Sequence, residues 1–170
     1  FRFNEVGIGL EPETRVTMTA APSTSGVLNV YSDAGSPPGS STFTWPNYES
    51  FNGSYVDATA PEGSMSFRTT AAGAYAGWGV FLQTNLTAYS NGYLKFWVKS
   101  STTLKLDLET FPFAKQTVYL STTTNNWLQK SIAITNFSSL NLANMYGLFE
   151  ITIETAGTFY IDDVKWSLSP

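Results

Sequence analysis

The sequence predicts an all-β fold, an antiparallel β-sandwich or jelly roll of two sheets. Apolar and polar residues alternate with a period of two in one segment after another, which puts one set on a buried face and the other in solvent. Gly, Asn, Ser, Thr and Pro separate these segments at the spacing of turns between short strands, and no helical period extends beyond a turn or two. Aromatic residues make up 15% of the 170-residue chain and charged residues only 13%, a balance that suits half-buried pleated surfaces.

Residues 1–25 read as an N-terminal strand or as a linker from an upstream domain. Positions 1–10 can form an edge strand, and 11–25 are rich in Pro, Thr, Ser and Ala. The sandwich domain is assigned to 26–170, long enough for one sizeable core. Its candidate strands are 26–31, 64–69, 77–83, 93–99, 104–109, 117–120, 127–134, 148–154 and 158–166, with turn signals at Ser90-Asn91-Gly92, Thr124-Asn125-Asn126 and Ala156-Gly157. Residues 32–57 read as a long Gly/Pro/Ser-rich loop carrying Trp45, Tyr48, Phe51 and Tyr55, and loops of such length in a compact domain are often functional.

Composition narrows the chemistry. Cys and His are both absent, which rules out disulfides, Ser-His or Cys-His nucleophile pairs and His-based zinc or iron sites. The net charge is −4 with no basic run, so a nucleic-acid partner is not expected. No apolar run is long enough to cross a bilayer as a helix. The first residue is Phe1 rather than Met, which reads as a mature or excised fragment, consistent with a secreted, extracellular origin.

The strand faces carry the functional signal. Leu94, Phe96 and Val98 alternate with Lys95, Trp97 and Lys99; Leu104, Leu106 and Leu108 with Lys105, Asp107 and Glu109; Phe149, Ile151 and Ile153 with Glu150, Thr152 and Glu154. One set is core. The other mixes a large ring with carboxylates and Lys, which is what a pyranose needs: an aromatic surface for its apolar C–H face and fixed polar groups for its hydroxyls. Trp97, Lys95, Asp107, Glu109, Glu150 and Gln83 are placed on such a face, which an ordinary solvated sheet face would also explain. Trp78 is a further candidate because its glycine neighbours leave its ring accessible, although its parity with Val80 and Leu82 argues for core. Phe111, with Trp45, Tyr48 and Tyr75, offers a rival platform on loops. Trp127 and Trp166 read as structural.

Several segments taken together resemble carbohydrate-binding modules of the galactose-binding-like jelly-roll type, similar to those appended to bacterial glycoside hydrolases such as family 3 glucanases. They are Pro61-Glu62-Gly63-Ser64-Met65-Ser66-Phe67, Gly77-Trp78-Gly79-Val80-Phe81-Leu82, the Tyr93 to Lys99 strand, Asn126-Trp127 and Thr158-Phe159-Tyr160-Ile161-Asp162-Asp163-Val164-Lys165-Trp166. The resemblance implies a monomeric, non-catalytic accessory module that binds β-glucan or a related plant or algal polysaccharide and tethers a hydrolase to it. It also implies a structural calcium at one edge of the sandwich. Calcium takes six to eight oxygen ligands, and Asp33, Asp57, Glu62, Asp162 and Asp163 lie at strand ends or in loops as candidates. Two other classes compete. A small jelly-roll glycosidase or lyase would use the paired carboxylates Asp107 with Glu109 or Glu150 with Glu154. An adhesion module binding protein would need a large apolar patch.

Overall fold

The computed structural model describes residues 26–45, 51–121, 123 and 125–170. Residues 1–25 and Tyr48 lie outside them, and with them the expected N-terminal strand or linker. The described strands form two antiparallel sheets, the β-sandwich that alternation predicts. In chain order they are β1 (Val27–Tyr31), β2 (Ser41–Trp45), β3 (Phe51–Val56), β4 (Met65–Ala71), β5 (Gly77–Thr84), β6 (Tyr93–Ser100), β7 (Leu104–Thr110), β8 (Ala114–Leu120), β9 (Leu128–Ala133), β10 (Met145–Ile153) and β11 (Gly157–Ser167). The first sheet runs β3-β4-β11-β6-β9, with β1 paired to the C-terminal half of β11; the second runs β2-β5-β10-β7-β8.

The inward faces are those the alternation indicates. Leu94, Phe96 and Val98 of β6, Leu104, Leu106 and Leu108 of β7, and Phe149, Ile151 and Ile153 of β10 are all buried between the sheets. Trp166 is fully buried, and its indole N–H donates to the Leu148 carbonyl across the core at 3.1 Å, which satisfies the one polar atom of the ring. Trp78 belongs to this core. Its ring is 2% exposed and stacks on Phe67 at 4.4 Å. The accessible platform expected from its glycine neighbours is therefore not there: parity with Val80 placed it inward, and the glycines serve the opposite face.

Two strands occupy the segment read as a loop. β2 and β3 are edge strands, each with a single neighbour, and nearly all their side chains are exposed or half-buried. A strand with no buried face shows no alternation, so only its pairing with β5 or β4 reveals it. β8 begins at Ala114 and β10 at Met145, both three residues earlier than the pattern suggests.

Candidate functional site

The outer face of the second sheet is ordered by its registers. Thr152, Lys105 and Tyr119 stand opposite one another across β10, β7 and β8, and Glu150, Asp107 and Thr117 form the next row, with Glu109 opposite Lys115 beyond. On the other side of β10 the side chains disappear: Gly77 faces Thr152 and Gly79 faces Glu150, with Trp45 and Phe43 of β2 opposite those glycines. A Cβ at Gly77 would collide with the Trp45 indole, one at Gly79 would meet the Phe81 ring at 2.8 Å, and one at Gly147 would collide with the Glu150 carboxylate. Their absence lets the rings and the carboxylate lie down against the sheet. Trp45 is further fixed by its indole N–H, which donates to Thr152 Oγ1 at 3.2 Å.

The result is a cleft of about 400 Å³, walled by Trp45, Tyr75 and Phe81 and floored by Lys105, Asp107, Lys115, Glu150 and Thr152. Rings continue from it in a series: Phe43 to Phe81 edge-to-face at 5.4 Å, Phe81 to Tyr146 tilted at 5.3 Å, and Tyr146 to Phe113 at 6.1 Å and Phe113 to Phe111 at 5.6 Å, both edge-to-face. Phe43, Tyr75, Phe113 and Tyr119 are each more than half exposed, an apolar surface that is unusual on a sheet face.

The floor is a charged network held in place by ion pairs. Lys105 Nζ meets Asp107 at 3.0 Å, and the Thr117 hydroxyl donates to the same carboxylate. Lys115 Nζ bridges Glu150 at 2.5 Å and Glu109 at 3.1 Å. Burial pushes the Glu150 carboxyl up to about 7; Glu109 beside it adds to the shift and Lys115 opposes it. Partial burial works against the Lys115 charge, but Glu150 and Glu109 hold its ammonium above the usual lysine range. Glu150 Oε1 is buried without a hydrogen-bond partner. A proton carried there and donated to Glu109 would satisfy it.

Of the residues singled out from sequence, this face unites Asp107, Glu109 and Glu150. Gln83 follows Phe81 on the same face of β5, with its amide donating to Asn144 at 3.4 Å. Phe111 closes the ring series at the far end. Trp97 and Lys95 are elsewhere: β6 belongs to the first sheet, so their side chains emerge on the opposite side of the sandwich. Trp45 and Tyr75, the rival aromatics, line the cleft. Phe81, Lys105, Lys115 and Thr152 were not singled out as site residues, although for Phe81 the outward parity against Trp78, Val80 and Leu82 was a usable signal. Trp127, read as structural, lies half-buried on the first sheet's outer side, its indole N–H donating to Thr59 Oγ1 at 3.2 Å.

Three of the candidate calcium ligands converge. Oxygens of Asp33, Glu62 and Asp162, from the loops after β1 and β3 and from β11, lie within 4.8 Å of one another. Asp162 is completely buried, and burial pushes its carboxyl up to about 6; backbone N–H groups of Glu62 and Asp163 oppose the shift, while the neighbouring charges of Glu62 and Asp163 add to it. Among the described residues no Lys or Arg pairs with any of the three. The other two candidates are engaged apart from the cluster. Asp57 takes Lys99 at 3.0 Å and accepts from Thr59, contacts that hold it below the usual range despite its partial burial. Asp163, in a bulge at φ +48°, takes Lys165 at 2.6 Å.

No protein-family model and no curated protein matches this sequence. Solved structures do. The family 30 carbohydrate-binding module of a cellulosomal cellulase from Clostridium thermocellum superposes with a TM-score of 0.60 at 16% identity, covering 83% of this chain and 96% of that one. A variant of a family 29 module, solved in complex with cellulohexaose, gives 0.59 at 10% identity over 84% of this chain and 92% of that one. A family 11 module of a second cellulosomal cellulase from Clostridium thermocellum gives 0.58 at 10% identity over 87% and 98%. The chain thus has the β-sandwich fold of carbohydrate-binding modules.

Proposed function

We propose that this domain binds a β-glucan or related polysaccharide along the outer face of the second sheet without cleaving it, and that it holds an attached glycoside hydrolase on that substrate outside the cell. The observation that carries this is the cleft itself. Aromatic rings rest on side-chain-free strand positions beside a fixed set of carboxylates, Lys ammonium groups and Thr hydroxyls. Rings stack on pyranose C–H faces, and the polar floor meets the hydroxyls at little conformational cost because ion pairs already hold it. One similar structure is a complex with cellulohexaose, which supports a linear β-glucan as the ligand. The domain acts as a monomer in this reading.

The carboxylates serve as floor rather than as catalysts. Asp107 is held by Lys105 and Thr117, and Glu109 and Glu150 share Lys115, so each of the three is fixed in the floor by a partner on the same face. Asp33, Glu62 and Asp162 fit a calcium ion. Three hard oxygen donors converge, and among the described residues the wholly buried Asp162 has no cation to pair with. The ion would cross-link two loops to β11 and has no part in glycan contact.

Titration of cellulohexaose by calorimetry tests the cleft. Trp45→Ala and Phe81→Ala are each expected to weaken binding by about 1 to 3 kcal/mol, the scale of aromatic stacking on a flat ligand, with no release of reducing ends by the unaltered protein. Unchanged affinity in both variants, or release of reducing ends, would overturn the reading.

A further inference from the structure

The first sheet carries a second built surface, on the opposite side of the sandwich. Its centre is Arg68 of β4. The guanidinium lies between two ring faces, 4.5 Å from the centroid of Phe51 and 3.9 Å from that of Tyr55. These contacts fix its plane. Its Nε is buried without a hydrogen-bond partner. Lys99, Lys105, Lys115 and Lys165 all sit on carboxylates; Arg68 makes no such pair among the described residues. Its neighbour across the edge strand is Gly53, where a Cβ would meet the Phe51 ring at 3.4 Å, so the missing side chain gives that ring room beside the guanidinium.

A guanidinium clamped by rings and left without an acceptor is prepared for one kind of ligand. Its planar donors match a carboxylate bidentately, and little rotamer entropy is lost because stacking has already ordered the side chain. The surroundings add a second requirement. Tyr160 stands directly opposite Arg68 and Lys99 directly opposite Tyr160; Lys99 is paired with Asp57, which leaves Arg68 as the cation of this row without a carboxylate among the described residues. Trp97 follows on the same face of β6, half-buried, with no ring or cation among the described residues stacked on it. Strand spacing puts it on the order of 12 Å from Arg68. A carboxylate seat with a half-buried indole at that separation fits an acidic sugar chain: a uronate carboxylate on Arg68 and a following pyranose on the exposed part of Trp97.

We propose that this face is a second glycan site, specific for uronate-bearing chains and independent of the cleft on the other sheet. The matched probes are the β-1,4-glucuronate hexamer and cellulohexaose, which differ only in the C6 carboxylates. The glucuronate hexamer is expected to bind in the presence of saturating cellulohexaose. Arg68→Gln is expected to weaken it tenfold or more while leaving cellulohexaose binding unchanged, and Arg68→Lys to recover only part of the loss because the fork is gone. Trp97→Ala is expected to act on the glucuronate hexamer alone, and Trp45→Ala on cellulohexaose alone. Near-ultraviolet circular dichroism confirms that each variant is folded. The proposal is overturned if the glucuronate hexamer does not bind, if the two hexamers compete, or if Arg68→Gln leaves the glucuronate affinity unchanged. It is equally overturned if a polyglutamate peptide displaces the glucuronate hexamer at equal carboxylate concentration, since the face would then recognise acidic peptide. Loss of cellulohexaose binding in Trp45→Ala bears on the cleft and not on this site, so the two proposals fail separately.

Discussion

Glu150 projects from the outer face of a sheet, where a carboxylate ordinarily meets water, yet it is 3% exposed. The rings that lie flat beside it remove its solvent, and Glu109 shares its Lys. Its pKa is therefore about 7 in the folded protein against 4.5 for the free group. The folded state binds the proton more tightly than the unfolded chain. The resulting stabilisation is complete below pH 4.5 and is lost as pH rises through about 7. Melting temperature is expected to fall across that interval, with Asp162 adding the same sign up to about pH 6, and Glu150→Gln, which keeps the shape and removes its titration, is expected to make the fall shallower. Parallel profiles for the two proteins would show that Glu150 is not the group responsible. At this scale the sequence was legible in part. The alternation in β7 and β10 places Asp107, Glu109 and Glu150 on an outward face; that this face is dry depends on Trp45, Phe81 and Tyr75, which arrive from other elements.

Among the elements, β5 determines the cleft. Its sequence Gly77-Trp78-Gly79-Val80-Phe81 alternates side chains inward and, apart from Phe81, nothing outward. Gly to Ala in a strand usually stabilises, because the unfolded chain loses freedom. At Gly79 the expectation reverses. The backbone there lies outside the left-handed region, so Ala can adopt it, but the added Cβ would press on the Phe81 ring at 2.8 Å and Glu150 Cγ at 3.1 Å. Gly79→Ala is expected to cost about 1 to 3 kcal/mol of stability, the scale of overpacking, and to weaken cellulohexaose at least tenfold by tilting Phe81 into the cleft. Denaturant unfolding and calorimetry measure the two effects; a stabilised variant with full affinity would contradict this account of the trough. Edge strands β2 and β3 were the elements not legible in sequence. Both lack a buried face, and both contribute rings, Trp45 and Phe43 from one and Phe51 and Tyr55 from the other.

For the molecule as a whole, the acidic cluster joins distant parts of the chain. Asp33 accepts from the backbone of Ser64 and Met65, the Asp33 N–H donates to Glu62, and the Glu62 N–H donates to Asp162. Three segments are thereby held by mutually repelling carboxylates. Added calcium is expected to raise the melting temperature in proportion to the logarithm of its concentration above the dissociation constant, and a chelator to lower it. Asp162→Asn should abolish this response, and a melting temperature indifferent to both calcium and chelator would remove the ion from the account.

The sequence by itself determined the fold class, the inward residues of the central strands and the chemistry that absent His and Cys exclude. Alternation and composition are local properties, readable without knowing what packs against what. It could not determine which sheet a strand joins. Period two separates inside from outside, but the outsides of two sheets look alike in sequence, and so Trp97 and Lys95 were grouped with the carboxylates of β7 and β10. Strand order decided otherwise. β6 pairs with β11 and β9 while β7 pairs with β10 and β8, which sends Trp97 to one side of the sandwich and Asp107, Glu109 and Glu150 to the other.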